Sequence, residues 1–294
     1  MSADPNVLAD AFAAERNRLL GVAYRMLGSR ADAEDVLQDA WLRWKEAGSE
    51  QVRSTQAWLT TVVTRLAIDK LRSAKARREV YIGPWLPEPL ADIDPFTPES
   101  KAEQASDLSL AFLNLLERLG PEERAAFVLH DAFDCDYDDI AEVLGKTPAA
   151  CRQLVHRARE RVTGERRRFQ VDEAARRRML ERFIQAANDG DIEGLKSIFA
   201  TDALLISDGG GKAVAALRIL HGVERITRLW AAVFRRTRNR AERRIVRVNG
   251  ELGLASWFGG QLHSINTIDT DGERIYRYYT VANPDKLGDF LHRC

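Results

Sequence analysis

The chain has 294 residues, with 44 Lys+Arg against 44 Asp+Glu and a formal net charge of zero. That length corresponds to about two domains, and 45% hydrophobic with 30% charged residues excludes a wholly disordered chain. The N-terminus MSADPNVLAD has no basic-then-apolar signal pattern, and no apolar run approaches the roughly 20 residues that span a bilayer. Three cysteines (Cys135, Cys151 and Cys294) without CxxC spacing argue against a disulfide framework or zinc ribbon. The expectation is a soluble cytoplasmic protein with no metal, no cofactor and no membrane partner.

Zero net charge would speak against a nucleic-acid partner if the charge were evenly spread. It is not. Residues 1–168 hold 24 basic and 28 acidic side chains, and the remainder holds 20 and 16. Arg65, Lys70, Arg72, Lys75, Arg77 and Arg78 face Asp69 alone in 65–78, and 152–168 holds seven arginines against two glutamates. Nine arginines stand against Glu242 in 225–247, whereas 85–107 is acidic and 131–142 has six carboxylates and no base. Neutrality is a cancellation of blocks.

In chain order, helical spacing predicts helices from Leu8 to about Arg78. In 31–46, Ala33, Val36, Leu37, Ala40, Trp41 and Trp44 recur at three- and four-residue steps and make one apolar face. Opposite it, Asp35, Gln38, Asp39 and Leu42 share a stripe, which reads as a protein contact or a solvated face. The helix from Ala57 to Arg78 carries Trp58, Thr60, Thr61 and Thr64 before its basic run. That mix suits single-stranded DNA, where bases stack and phosphates are neutralised, although Trp58 reads equally well as core.

Five prolines (Pro84, Pro87, Pro89, Pro95 and Pro98) make 80–105 a linker. Helices resume at 106–119, 121–131, 137–144 and 148–162. The last third is α+β: helices at 174–188 and 191–200, a strand at Ala203–Ser207, the Gly-rich Asp208–Lys212, a strand from Ala213, and a helix at 222–236. Strand-like runs then alternate with turn signals at Val248-Asn249-Gly250, Gly259-Gly260 and Thr270-Asp271-Gly272.

The sharpest local pattern is Tyr137 to Pro148 followed by Ala149 to Arg161. Gly145 suits the left-handed end of a first helix, with Thr147 as N-cap and Pro148 at N1 of a second. Cys151, Leu154, Val155, Ala158 and Val162 form a buried stripe. Arg152, Gln153 and His156 fall opposite it, flanked by Arg157 and Arg159. An apolar back with bidentate donors and phosphate-neutralising arginines is what a recognition helix needs. The bland alternative is a helical hairpin with a solvated basic face. His156 has no second ligand at helical spacing for a metal.

Asp32 to Trp41, then Ala57-Trp58-Leu59 and Ala67 to Arg72, resemble region 2 of bacterial extracytoplasmic-function sigma factors, and 106–168 is similar to their region 4. The resemblance implies that Asp35, Gln38, Asp39 and Leu42 contact core RNA polymerase. It implies that Trp58, Thr61, Arg65, Lys70 and Arg72 act on the −10 promoter element and Arg152, Gln153, His156, Arg157 and Arg159 on the −35 element. Val62-Val63-Thr64-Arg65 and Ala150 to Leu154 depart from common family patterns, so no promoter sequence carries over.

Residues 174–294 resemble the SnoaL-like cone fold. Trp85-Leu86-Pro87-Glu88-Pro89, Asp208-Gly209-Gly210-Gly211-Lys212 and Asn283-Pro284-Asp285-Lys286-Leu287 together look like the sigma-factor group with a fused C-terminal SnoaL-like domain. Asp208–Lys212 lacks Walker A spacing and reads as a tight turn or docking loop. Trp85 and Leu86, stiffened by prolines, form an apolar knob suited to a groove. The expectation is that this knob sits near Asp208–Lys212 and that the third domain adjusts the factor.

The resulting fold class is multidomain: two all-α lobes, the second with a helix-turn-helix, plus an α+β SnoaL-like domain. The expected divisions are region 2 at 8–79, linker at 80–105, region 4 at 106–168 and regulatory domain at 174–294. The expected partners are core RNA polymerase and promoter DNA, with a small ligand for the third domain left open. An enzyme using Asp208, His221, His263, Tyr276 or Tyr278 is disfavoured because nothing in the sequence pairs them. A ligand-binding helix-turn-helix regulator is the remaining alternative.

Overall fold

The structure, a computed structural model, describes residues 5–48, 52, 54–91, 108–163, 171–237 and 241–291. Linker positions 92–105, residues 106–107 of the expected helix, Arg166–Arg168, Arg238, Arg240 and Cys294 lie outside the described residues, as do the side chains of Lys75, Arg77 and Arg78. The described residues form two compact units. One comprises residues up to Glu79 and from Leu113 to 163, and the other comprises 80–91, 108–112 and 171–291.

The first unit is helical. Helix α1 (Pro5–Leu27) packs against α2 (Arg30–Ala47) and α3 (Thr55–Glu79). Leu19, Leu20, Val22, Ala23, Tyr24 and Met26 of α1 are almost completely buried, and they meet the three–four stripe Ala33, Val36, Leu37, Ala40 and Trp44 of α2. Gly28, at φ 65°, ends α1, and the Ser29 side chain accepts from Asp32 N to start α2. Trp44 is buried because its indole N–H finds the Leu8 carbonyl at 3.1 Å.

Next come α4 (Leu110–Leu116), α5 (Pro121–Phe127), α6 (Tyr137–Leu144) and α7 (Pro148–Thr163). The helix expected at 121–131 is α-helical only to Phe127 and continues as a π-helical turn, Val128–Ala132. Arg124, 2% exposed, is the tie within this unit. Its guanidinium donates to Met26 O at 2.6 Å and Leu116 O at 2.8 Å and pairs with Glu117 at 2.8 Å. The two carbonyls lie at the C-terminal ends of α1 and α4, where a cation complements the helix dipole. Burial pulls the guanidinium down to about 9, still above neutral pH, so it stays charged.

The second unit is a six-stranded sheet in the order β2-β1-β6-β5-β4-β3. Helices α8 (Glu173–Asp189) and α9 (Ile192–Ile198) lead into β1 (Phe199–Asp208). Then come β2 (Leu220–His221), α10 (Val223–Thr237), β3 (Ala241–Val248), β4 (Glu251–Phe258), β5 (Gln261–Thr270), β6 (Ile275–Val281) and the short α11 (Gly288–Leu291). Among the described residues, only the β1–β6 pair is parallel.

Two expectations are corrected here. Phe199 and Ala200 open β1 rather than close a helix, because Phe199 pairs with Ile275 and is buried in the core. No strand starts at Ala213: β1 already has β6 on one edge and β2 on the other, so the intervening run has no strand edge there to join.

Strand alternation gives the sheet two buried faces. Leu205, Leu254, Ile268 and Tyr278 face α8, α9 and α10. Ile206, Ala255, Ile265, Tyr279 and Val281 face a second core completed by Leu86, Ala91, Leu110, Leu287 and Phe290. The proline-rich segment thus covers one face of the sheet.

Replacing Arg124 with Ala strands two helix-end carbonyls and Glu117. Urea unfolding followed by circular dichroism should show the variant about 3–5 kcal/mol less stable; a loss below about 1 kcal/mol would mean the guanidinium does not hold this unit.

Candidate nucleic-acid interface and linker dock

The helix-turn-helix is built by its caps. Asp136 accepts from Asp139 N at 2.8 Å to open α6, Gly145 takes φ 63°, and Lys146 N closes the turn on Ala141 O. The Thr147 hydroxyl accepts from Ala150 N to open α7. Cys151, Leu154, Val155, Ala158 and Val162 form the buried back of α7, which forces Arg152, Gln153, His156, Arg157 and Arg159 outward, all exposed.

Those cations have partners on the protein itself. Arg159 makes a two-pronged contact with Asp131, at 2.9 and 2.7 Å, and that hydrogen-bonded pair raises its pKa. Arg157 and Arg161 both reach Glu123, and Arg152 lies 5.3 Å from the Tyr137 ring centroid. His156 stands 3.6 Å from Glu160.

The expected −10 residues are engaged in the same way. Arg65 donates to Val143 O and Glu142 O, the C-terminal carbonyls of α6, at 2.9 and 3.0 Å. Arg72 pairs with Asp69 and with Glu122, whose second oxygen holds Lys146. Lys70 loses some charge stability to burial, but Asp35 at 2.8 Å and Asp32 at 3.0 Å more than reverse this and raise its pKa. Thr61 turns back to the Ala57 carbonyl, and half-buried Trp58 packs on Trp44 with ring centroids 5.4 Å apart. Gln38, Asp39 and Leu42 lie exposed along α2 beside Asp35; Leu42 is 51% exposed. Glu122 and Glu123, adjacent on α5, thus hold four cations from two helices, α3 and α7, and from the helix-turn-helix turn.

In the second unit, the three motifs meet at one carboxylate. Asp208 has no exposed surface. Its Oδ1 accepts from the Tyr81 hydroxyl at 2.6 Å and Gly210 N at 3.0 Å, and its Oδ2 accepts from Leu86 N at 2.9 Å and Lys286 Nζ at 2.7 Å. Lys286 also donates to Leu86 O and lies 4.0 Å from the Trp85 ring centroid. Asn283 donates to the Tyr81 oxygen, and its side chain accepts from Asp285 N in the turn beginning at Pro284. Leu86, Pro87 and Pro89 are buried, Glu88 is half-buried, and Leu287 enters the second core.

The glycine loop folds inward: Lys212 N and Ala213 N both donate to Gly209 O, and Gly210 and Gly211 take positive φ. A Cβ on Gly210 would fall 2.3 Å from Asn283 Nδ2, and one on Gly211 would fall 2.8 Å from Ile82. Lys212 reaches only exposed Asp285. A second clip lies at Asn249, which holds positive φ, accepts from Leu90 N and donates its own N–H to Leu90 O.

Sequence reasoning missed Tyr81, Asn249 and Arg124. Asn249 stood in a recognised Asn-Gly turn signal; Tyr81 and Arg124 carry no local mark. Burial and Asp208 push the Tyr81 hydroxyl well above its usual range, so it remains a donor at neutral pH. Among the described residues no His/Cys/Asp/Glu group fits a metal ion, and no helix is long and apolar enough to cross a membrane.

Known proteins share this architecture. Residues 11–77 match the family Sigma-70 region 2, and 109–162 match Sigma-70, region 4. The ECF RNA polymerase sigma factor SigJ of Mycobacterium tuberculosis is 38% identical over 287 residues, covering 94% of this chain and 92% of that protein. The probable ECF RNA polymerase sigma factor SigI of the same organism is 36% identical over 64% of this chain and 65% of its own length. The crystal structure of SigJ superposes with a TM-score of 0.76 at 35% identity, covering 96% of this chain and 98% of that one. Helical region 2 and region 4 segments followed by a SnoaL-like sheet domain are therefore an established arrangement, and the chain belongs to the ECF RNA polymerase sigma factors, which bind core RNA polymerase and direct promoter recognition.

Proposed function

We propose that the described arrangement is the resting form of this sigma factor, in which its DNA-binding cations are occupied internally and its linker is held by the C-terminal domain. The observation that carries this reading is the double engagement of Glu122 and Glu123 with Arg72, Lys146, Arg157 and Arg161. Arg72 is an expected −10 residue and Arg157 an expected −35 residue, so the same acidic pair holds both elements in one unit. Exposed ion pairs contribute about 0–1 kcal/mol each. Contacts of that size are exchangeable: a phosphate or an acidic polymerase surface can replace each carboxylate.

In this reading α2 offers Asp35, Gln38, Asp39 and Leu42 to core polymerase, α3 acts at the −10 element, and α7 reads the −35 element through Arg152 and Gln153. The factor works in the cytoplasm, where polymerase and promoter meet. Domain divisions are placed at 79/80, 105/106 and near 168–174; among the described residues, 108–112 group with the sheet unit rather than with the second helical lobe. The C-terminal domain acts as a regulator rather than an enzyme: Asp208 is committed to four donors and Tyr276 to Asp271. Trp85–Pro89, Asp208–Lys212 and Asn283–Leu287 form the regulatory dock.

Reconstituted transcription with core RNA polymerase tests the assignment. Arg152→Ala and Gln153→Ala should each cost about 1–3 kcal/mol of promoter discrimination, with the fold unchanged by circular dichroism. Failure of core polymerase to initiate when the protein is added, or initiation unaffected by both changes, would sink the reading.

The double variant Glu122→Gln, Glu123→Gln preserves side-chain size but removes both negative charges and one acceptor oxygen from each residue, which releases the cations. Free protein should then bind promoter duplex more tightly, with the slope of log K against log salt steeper by about 0.9 per phosphate gained. Unchanged affinity and slope would show that these pairs do not compete with DNA.

Lys286→Ala removes the only charged donor to Asp208 seen among the described residues and should change promoter output. Lys212→Ala, which breaks only an exposed pair, should change it far less. Equal outputs from wild type and Lys286→Ala would dissociate the dock from regulation.

A further inference from the structure

The face of the sheet opposite the linker is not completely filled. Between its outer strand ends and α10 lies a cavity of about 310 Å³, bounded also by the run Val214–Ala216. That volume falls at the lower end of ligand-sized pockets, about 300–1,000 Å³. Leu229 and Val233 of α10 and Leu205 of β1 supply apolar wall, while Ser207, Ser264 and Asn266 supply neutral polar groups. Arg236 and Arg243 also line the cavity, and no Asp or Glu does.

Arg243 is the informative group. Three cations with little exposure elsewhere among the described residues pair with carboxylates: Arg124 with Glu117, Arg176 with Glu251 and Lys286 with Asp208. Arg25, in the helical unit, instead donates to the Gly21 carbonyl and lies against the Phe133 ring. The hydrogen-bond partner seen for Arg243 among the described residues is the neutral side chain of Asn188. Its buried Nε has no acceptor, and neither has the buried Nε1 of Trp230, another wall residue, whose ring centroid lies 5.9 Å from the guanidinium. Two orphaned donors, one on a cation, are costly unless an acceptor arrives. The missing partner is therefore an acceptor with negative charge, attached to an apolar body that fits the walls.

We propose that this cavity binds a small amphipathic carboxylic acid, its carboxylate accepting from Arg243 Nε and Trp230 Nε1 and its apolar body lying along Leu229, Val233 and Leu205. Burial opposes the charge on Arg243 and pulls its pKa down, and an anion reverses that penalty. His263, also in the wall, is pulled down by burial and then by Arg236. The imidazole is therefore neutral at pH 7, which leaves the arginines as the cationic groups of the lining. Carboxylate rather than phosphate is favoured because a planar two-oxygen acceptor matches a guanidinium edge plus an indole N–H, and because the rest of the lining is largely apolar or neutral. The site is separate from the Asp208 dock, although Ser207 and Ala282 in its wall adjoin Asp208 and Asn283 in the chain.

Isothermal titration of the full-length protein with decanoate and with 1-naphthoate tests this directly, using decanol and 1-naphthalenemethanol as neutral counterparts. Saturable one-to-one binding of at least one acid is expected, with its alcohol at least tenfold weaker. Arg243→Gln should weaken acid binding at least tenfold while leaving the alcohol unchanged. Val233→Trp, which fills the cavity without touching the arginine, should abolish both, and circular dichroism reports whether each variant is folded. Failure of both acids to bind, equal binding of acid and alcohol, or undiminished binding in folded Val233→Trp would each overturn the proposal. The readout needs neither polymerase nor DNA, so it stands apart from the proposed transcriptional role.

Discussion

Asp208 has no exposed surface, and burying a carboxylate is costly unless protein donors replace its hydration shell. This chain supplies four, and they come from stretches far apart in sequence: Tyr81 and Leu86, Gly210, and Lys286. Satisfying one buried charge therefore fixes where the proline-rich segment runs and how the C-terminal turn folds. It also pins the start of the glycine loop, where the Gly210 N–H is held by Asp208 Oδ1 and Gly210 then turns the chain with positive φ. Once the segment is pinned there, Leu86, Pro87 and Pro89 are carried onto the apolar face of the sheet. Prolines suit this position: they lose little entropy on ordering and need no backbone donor bond.

The helical unit follows a different regime. Its buried polar tie, Arg124, commits α1 and α4 to α5, as Asp208 commits the linker. The contacts made by the α3 and α7 cations proposed to meet DNA are partly exposed, and each is weak. Strong contacts thus set the architecture, and weak contacts occupy the functional surface. A recognition surface that must later meet phosphates is best covered by groups of this kind, since a buried pair would cost several kcal/mol to open.

Periodicity was legible wherever a helix buries one stripe. The stripes of α2 and α7 could be read residue by residue, and so could the caps of the helix-turn-helix, because each cap is a local bond between residues three or four apart. The approach of Trp85–Pro89 to Asp208 came instead from a resemblance. No spacing rule links positions more than 120 apart, and Tyr81 and Arg124 escaped notice for the same reason. The strand expected at Ala213 failed because β1 has only two edges and both are taken. Arg243 and Trp230 were invisible as a pair: their significance lies in what they lack, and only packing reveals an unmet donor.

The zero net charge can now be read physically. The acidic stretch Asp131–Glu142 supplies the Asp131 carboxylate to Arg159, so part of the cancellation is carried out by direct contact within the helical unit. Such contacts sit far inside the screening length of about 10 Å at ordinary salt, but their exposure lets salt and phosphate compete for them. The Asp208–Lys286 pair, 0% and 11% exposed, is shielded from both. Rising ionic strength should therefore loosen the carboxylate contacts of the exposed α3 and α7 cations well before it disturbs the linker dock. A chain with the same total charge spread evenly would lack this separation, because its surface would have neither the basic stripe to protect nor the acidic neighbours to protect it.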